Sequence, residues 1–104
     1  MTNHLQSPAV LVATQQLGAH VQAMRKRQRL TQEQLAERAG VGRTTLHKLE
    51  AGHPGVAIAS VLEVLQVLDP EMVDRILEVI DTDPLGRALE RQRLPQRVAR
   101  DDDF

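Results

Sequence analysis

The chain has 104 residues and no cysteine, which excludes disulfides, thiolate zinc sites and a cysteine nucleophile. Its one aromatic residue is Phe104, so single-strand readers that stack bases on aromatic platforms, and most aromatic-lined cofactor pockets, are excluded too. Thirteen Lys and Arg against fourteen Asp and Glu give a formal net charge of −1, which on its face argues against nucleic acid. A chain this long suits one compact domain with a short appendage.

Periodicity reads helix nearly throughout, and no segment alternates as a strand. Ser7-Pro8 is a start signal, a hydroxyl cap followed by Pro in the first turn. Val10, Leu17, Val21 and Met24 then keep helical spacing, with Gly18 as a weak point. Thr31 caps a second helix, with Gln34 in capping-box register and Gly40 as its stop. A third helix runs from about Arg43 to Glu50, and Gly52-His53-Pro54-Gly55 is a turn. From Ile58 to Leu68, Ile58, Val61, Leu62, Leu65 and Leu68 form one apolar face, with Val64 and Val67 as a second. Pro70 can open a further helix with the stripe Met72, Val73, Ile76, Leu77 and Ile80. Asp83-Pro84 repeats the start signal for a short amphipathic turn or two, and a mobile tail is expected from Pro95.

The apolar run Ala9–Ala13 is too short for a signal-peptide core or a bilayer span, so a cytoplasmic protein is expected. Charge is not spread evenly. Residues 20–50 carry net +4, residues 61–83 net −6 and residues 84–104 net +1. The total of −1 therefore averages a basic module with an acidic one.

The window Gln32–Glu50 has the constraints of a helix-turn-helix. Ala36 is small where two helices cross, and Gly40 supplies the left-handed residue between them. Leu35, Ala39, Val41, Leu46 and Leu49 make a shared apolar seam, leaving polar residues outward. This window, with Met24–Gln32 before it and Leu49-Glu50-Ala51-Gly52 after it, resembles the Cro/lambda-repressor-like, XRE-type helix-turn-helix family over roughly residues 15–68. Gly42 and Ala57 depart from it, standing where the family commonly caps helices with Ser or Thr.

The resemblance implies an all-α, five-helix domain with a short C-terminal helical extension. Residues 1–14 lead into the first helix, 15–68 form the DNA-binding domain, 69–94 the helical extension and 95–104 a flexible tail. The docking geometry of such domains puts the start of the second motif helix against base edges. That makes Arg43 and Thr44 base readers, joined by Lys48 one turn on. Gln32, Thr45, His47, Arg25 and Arg29 are the phosphate or borderline contacts, with Arg25 and Arg29 on one face straddling the backbone. Val64, Val67, Met72, Val73, Ile76 and Ile80 exceed the needs of a small core and are the expected homodimer interface.

The segment Asp83–Leu89 and the Arg/Leu/Pro-rich run to Asp101-Asp102-Asp103-Phe104 are similar to HipB-type antitoxins. That resemblance implies a dimeric, autoregulating repressor of palindromic operator DNA that also holds a HipA-like kinase toxin. A free-standing regulator without a toxin is the alternative, and an interaction module that has lost DNA binding is a rival of another class. His4, His20, His47 and His53 have no ligand spacing, and the two serines, Ser7 and Ser60, sit at a cap and in an apolar helix. No metal, cofactor or enzymatic activity is therefore expected.

Overall fold

The computed structural model describes residues 6–93. These residues form six α-helices and no strand: α1 (Pro8–Arg27), α2 (Gln32–Ala39), α3 (Arg43–Glu50), α4 (Ile58–Leu68), α5 (Met72–Thr82) and α6 (Pro84–Arg93). The chain divides into one compact unit through Val73 and a second from Asp74 on. The expected tail, residues 95–104, lies outside the described residues.

Local chemistry sets the helix ends. Ser7 Oγ accepts from the Val10 amide at 3.3 Å, and Pro8 takes the first position of α1, so residues 8–14 of the expected lead-in are helical. Thr31 and Gln34 close a reciprocal capping box on α2, at 3.0 and 2.9 Å. Gly42 and Ala57 cap α3 and α4 with no side-chain hydrogen bond.

The first three helices also end alike. The amides of Arg29 and Leu30 bond back to Lys26 O and Arg25 O, those of Gly40 and Val41 to Glu37 O and Ala36 O, and those of Gly52 and His53 to Leu49 O and Lys48 O. Each is a Schellman closure around a left-handed residue, with φ of 60° at Arg29, 70° at Gly40 and 82° at Gly52. Two of these are glycines, which adopt the conformation without Cβ strain; Arg29 carries the strain.

Within the first unit α2 packs on α4 and α3, and α1 on α3. Val21, Leu30, Leu35, Ala36, Ala39, Leu46, Leu49, Val64, Leu65 and Leu68 form its core. The buried arc of α4 follows 64, 65 and 68, with Val61, Leu62 and Val67 half-buried beside it. Two sequence expectations change as a result. Val64 is fully enclosed and unavailable to a partner, because α4 turns this face towards its neighbouring helices. Ile58, expected inward, is 76% exposed at the open end of α4.

In the second unit α6 runs for ten residues, longer than a turn or two. Asp83 Oδ1 accepts from the Gly86 amide at 3.1 Å and starts it.

Gly18 is a contact, not a weak point. A Cβ there would lie 2.7 Å from the Glu50 carbonyl oxygen and closer still to that of Leu49, so α1 and the end of α3 meet backbone to backbone. Gly18→Ala gains up to about 1 kcal/mol of helix propensity but forces two packed backbones apart, an overpacking that costs about 1–3 kcal/mol or more. Urea denaturation is expected to show net destabilisation; a more stable variant would contradict the close approach.

Candidate nucleic-acid interface

α2, the turn at Gly40-Val41-Gly42 and α3 build the motif. The left-handed Gly40 lets the chain leave α2 and re-enter as α3 at a steep angle while Leu35, Ala39, Leu46 and Leu49 stay in one core. Val41 is half-buried at the edge of that seam. The opposite side of α3 faces outward, with Arg43, Thr44, His47 and Lys48 all exposed. Thr45, in the third position of the helix, is half-buried. Because Gly42 has no side chain, the first-turn amides of α3 meet no side-chain acceptor. Such amides, beside the Arg43 cation, favour an anion.

Behind α3 lies a buried charge network. Arg25 of α1 and Glu50, the last residue of α3, are 8% and 9% exposed. Arg25 Nε and Nη2 donate to Glu50 Oε2 and Oε1 at 2.6 and 2.9 Å, the two-pronged pairing that a guanidinium makes with a carboxylate. Arg25 Nη1 donates to the Leu30 carbonyl at 2.9 Å. Gln32 Nε2, from the first turn of α2, donates to Glu50 Oε1 at 2.9 Å. The Arg25–Glu50 pair thus joins α1, the loop before α2, the start of α2 and the end of α3.

Burial alone pushes the Glu50 carboxyl up. Hydrogen bonds from Arg25, Gln32 and Gln22, together with the Arg25 charge, more than reverse this and hold it below the usual carboxylate value. The hydrogen bond to Glu50 likewise raises Arg25 against the opposing effect of burial, with the Glu50 charge adding to it.

These positions correct the phosphate-contact scheme. Arg25 is enclosed and committed to Glu50, so it does not reach a surface ligand. It shares no helix face with Arg29, because α1 ends at Arg27 and Arg29 sits in the left-handed turn beyond it. Gln32 is half-buried, and one of its amide hydrogens is used by Glu50. Arg29 stays exposed. Glu50 was not singled out from the sequence. An acid in the last turn of a helix opposes the helix dipole, and that mismatch was the available sign that it answers a cation elsewhere.

With Arg25 and Glu50 cancelling in the interior, residues 20–50 keep Lys26, Arg27, Arg29, Arg38, Arg43 and Lys48 exposed against Glu33 and Glu37. The surface of this segment still carries net +4, now concentrated in fewer groups. Among the described residues no group of three or more His, Asp or Glu could hold a metal ion. No helix among them is long and apolar enough to cross a membrane.

Two short helices across a glycine turn, the second carrying an exposed cationic face, define a helix-turn-helix protein. The family model described as a helix-turn-helix domain matches residues 16–89, and the chain belongs to that family. The match runs past Leu68 and takes in α5 and part of α6. The chain is similar to an uncharacterized HTH-type transcriptional regulator, y4mF, of Sinorhizobium fredii (strain NBRC 101917 / NGR234). The two are 43% identical over 68 residues, 65% of this chain and 82% of that protein. No solved structure matches.

Removing one partner of a buried ion pair costs about 3–5 kcal/mol, so Glu50→Gln is expected to lose about 3 kcal/mol at pH 7 by leaving Arg25 buried and unpaired. Because the folded Glu50 value is depressed, its contribution is full above the unfolded value of about 4.3 and is lost as pH falls through the folded value. The stability gap between wild type and variant therefore narrows on acidification below about pH 4.3. A gap unchanged down to pH 2 would show that the carboxylate charge is not what holds the site.

Proposed function

We propose that the protein is a sequence-specific, double-stranded-DNA-binding transcriptional repressor that reads a palindromic operator as a homodimer. The observation that carries this is α3 itself, whose outer face presents Arg43, Thr44, His47 and Lys48 from a helix held at its far end by Arg25 and Glu50. Arg43 and Thr44 meet base edges, Arg43 with the fork that pairs two acceptors on guanine. Lys48 lies one turn further and reaches a base edge or a phosphate. Thr45 and His47 remain peripheral contacts. Gln32 offers a phosphate its second amide hydrogen and its first-turn backbone amide. Arg29 offers a cation from the turn before α2; strain kept at an exposed cation is a mark of function rather than of folding.

A single recognition helix reads only a few base pairs, so useful affinity needs two half-sites on a symmetric pair. With Val64 in the core, Val67, Met72, Val73, Ile76 and Ile80 remain of the expected interface, and of these Ile80 is 65% exposed.

The finer reading is an antitoxin that holds a HipA-like kinase toxin in the cytoplasm and represses its own operon. It rests on the resemblance of residues 83–104, of which 94–104 lie outside the described residues. The similarity to the Sinorhizobium HTH-type transcriptional regulator favours the alternative of a free-standing regulator. Co-purification with the product of an adjacent kinase-like reading frame separates the two.

Gel shifts against a randomised duplex library test the DNA reading. Arg43→Ala is expected to lose about 1–3 kcal/mol of discrimination at one base pair while retaining non-specific binding. Arg29→Gly is expected to weaken all sequences alike and to lower the salt slope by about 1. The same substitution relieves the left-handed strain, so the variant should melt no lower than wild type. Binding by wild type that is indifferent to salt would exclude the phosphate contacts.

A further inference from the structure

The turn between α1 and α2 is fastened on both sides of its strained residue. On one side Gln28, the residue that closes α1, donates from Nε2 to the carbonyl of Leu68 at 2.9 Å, 40 residues along the chain at the end of α4. On the other, the Leu30 carbonyl accepts from Arg25 Nη1 at 2.9 Å. Between them stands Arg29, with φ of 60° and an exposed side chain.

Leu68 has its own need of a donor. The amide of Glu71 goes to Asp69 Oδ1 at 3.0 Å and that of Met72 to Asp69 O at 2.9 Å, and Pro70 has none to give. A carbonyl on a residue only 5% exposed is costly without a partner. Closing α4 explains why some donor is present, and not why it comes from residue 28. Drawn from there, the bond also pins the backbone beside Arg29 to a helix remote in sequence. A left-handed arginine is under steric pressure to leave that conformation. With Leu30 held by Arg25 and Gln28 held by Leu68, neither neighbour can turn to release it. The Arg29 side chain therefore leaves the protein from a fixed root, and a cation so ordered gives up less freedom when it meets a phosphate.

We propose that Gln28 is a positioning residue for DNA binding, whose bridge to Leu68 keeps Arg29 left-handed and directs its cation to a backbone phosphate. This rests on the DNA reading above and adds to it a residue that itself touches no nucleic acid.

A double-mutant cycle in the full chain tests it, with binding to a randomised duplex library measured over a range of salt and urea denaturation reporting stability. Gln28→Met keeps the length of the side chain and removes the amide donor. It is expected to weaken binding by about threefold to tenfold and to lower the salt slope towards that of Arg29→Ala, which falls by about 1. Introduced into the Arg29→Ala chain, the same substitution is expected to change binding by less than about twofold, although its effect on stability is the same in both chains. Hydrogen exchange gives a second readout. The Arg29 and Leu30 amides, bonded to Lys26 O and Arg25 O, should exchange faster in Gln28→Met, while the Ala51 amide at the end of α3 keeps its rate. Wild-type binding by Gln28→Met, or an equal loss with and without the Arg29 guanidinium, would overturn the positioning role, reduce Gln28 to a closure of α4 and leave the DNA reading intact. An Arg29→Ala chain with the wild-type salt slope would overturn both the phosphate contact and its positioning. Wild type that shows no salt-dependent binding would overturn the DNA reading itself.

Discussion

The Arg25–Glu50 ion pair is the constraint on which the rest of the helix-turn-helix unit depends. It is buried, so each charge has lost most of its water and is tolerable only with the other in place. Both prongs of the guanidinium reach the carboxylate, its third nitrogen takes the Leu30 carbonyl, and Gln32 fills a remaining position on Glu50. The network is directional where an apolar core is not. Hydrophobic contact among Leu35, Leu46 and Leu49 would tolerate some sliding of α3; forked hydrogen bonds at 2.6 and 2.9 Å do not. The register of α3, and with it the placement of its exposed face, is therefore fixed.

Backbone closeness finishes what the ion pair begins. Gly18 admits the carbonyls that end α3, and Gly52 brings the following turn so near α1 that a Cβ would lie 2.7 Å from Gln15 Cα. The buried end of α3 is thus held by charge, by glycine contact and by a Schellman closure. Its other end has an uncapped glycine and free first-turn amides. Order is concentrated at the C-terminal end of α3 and open hydrogen-bonding capacity at its N-terminal end. The same division explains Arg29. The two glycines take the left-handed residue of a helix end without strain, whereas Arg29 places an exposed charge there against a steric cost.

The second unit follows a different logic. The first unit closes its own core, and its polar network is internal. Helices α5 and α6, by contrast, contain no buried residue, leave Leu77, Ile80, Leu85 and Leu89 exposed, and carry opposite charge surpluses, acidic on α5 and basic on α6. The acidic surplus that brings the whole chain to −1 lies in residues 61–83, from α4 through α5, while the basic surplus lies in residues 20–50, around α2 and α3.

By itself the sequence determined the helices, because their signals are local. Ser7-Pro8, the Thr31–Gln34 box, Gly40 and the turn after Glu50 act within a few residues, and all appear where spacing put them. The exposed face of α3 was legible for the same reason, since a 3.6-residue period sorts Arg43, Thr44, His47 and Lys48 from Leu46 and Leu49. What periodicity left undecided was which of several candidate surfaces becomes interior. Val64 reads as surplus until α4 is packed, and Ile58 reads as core until the end of α4 proves open. Arg25 among four neighbouring cations reads as one more solvated charge, and Glu50 as one more acid. Only the tertiary structure brings them together across 25 residues of chain, because burial and pairing depend on what lies opposite in space.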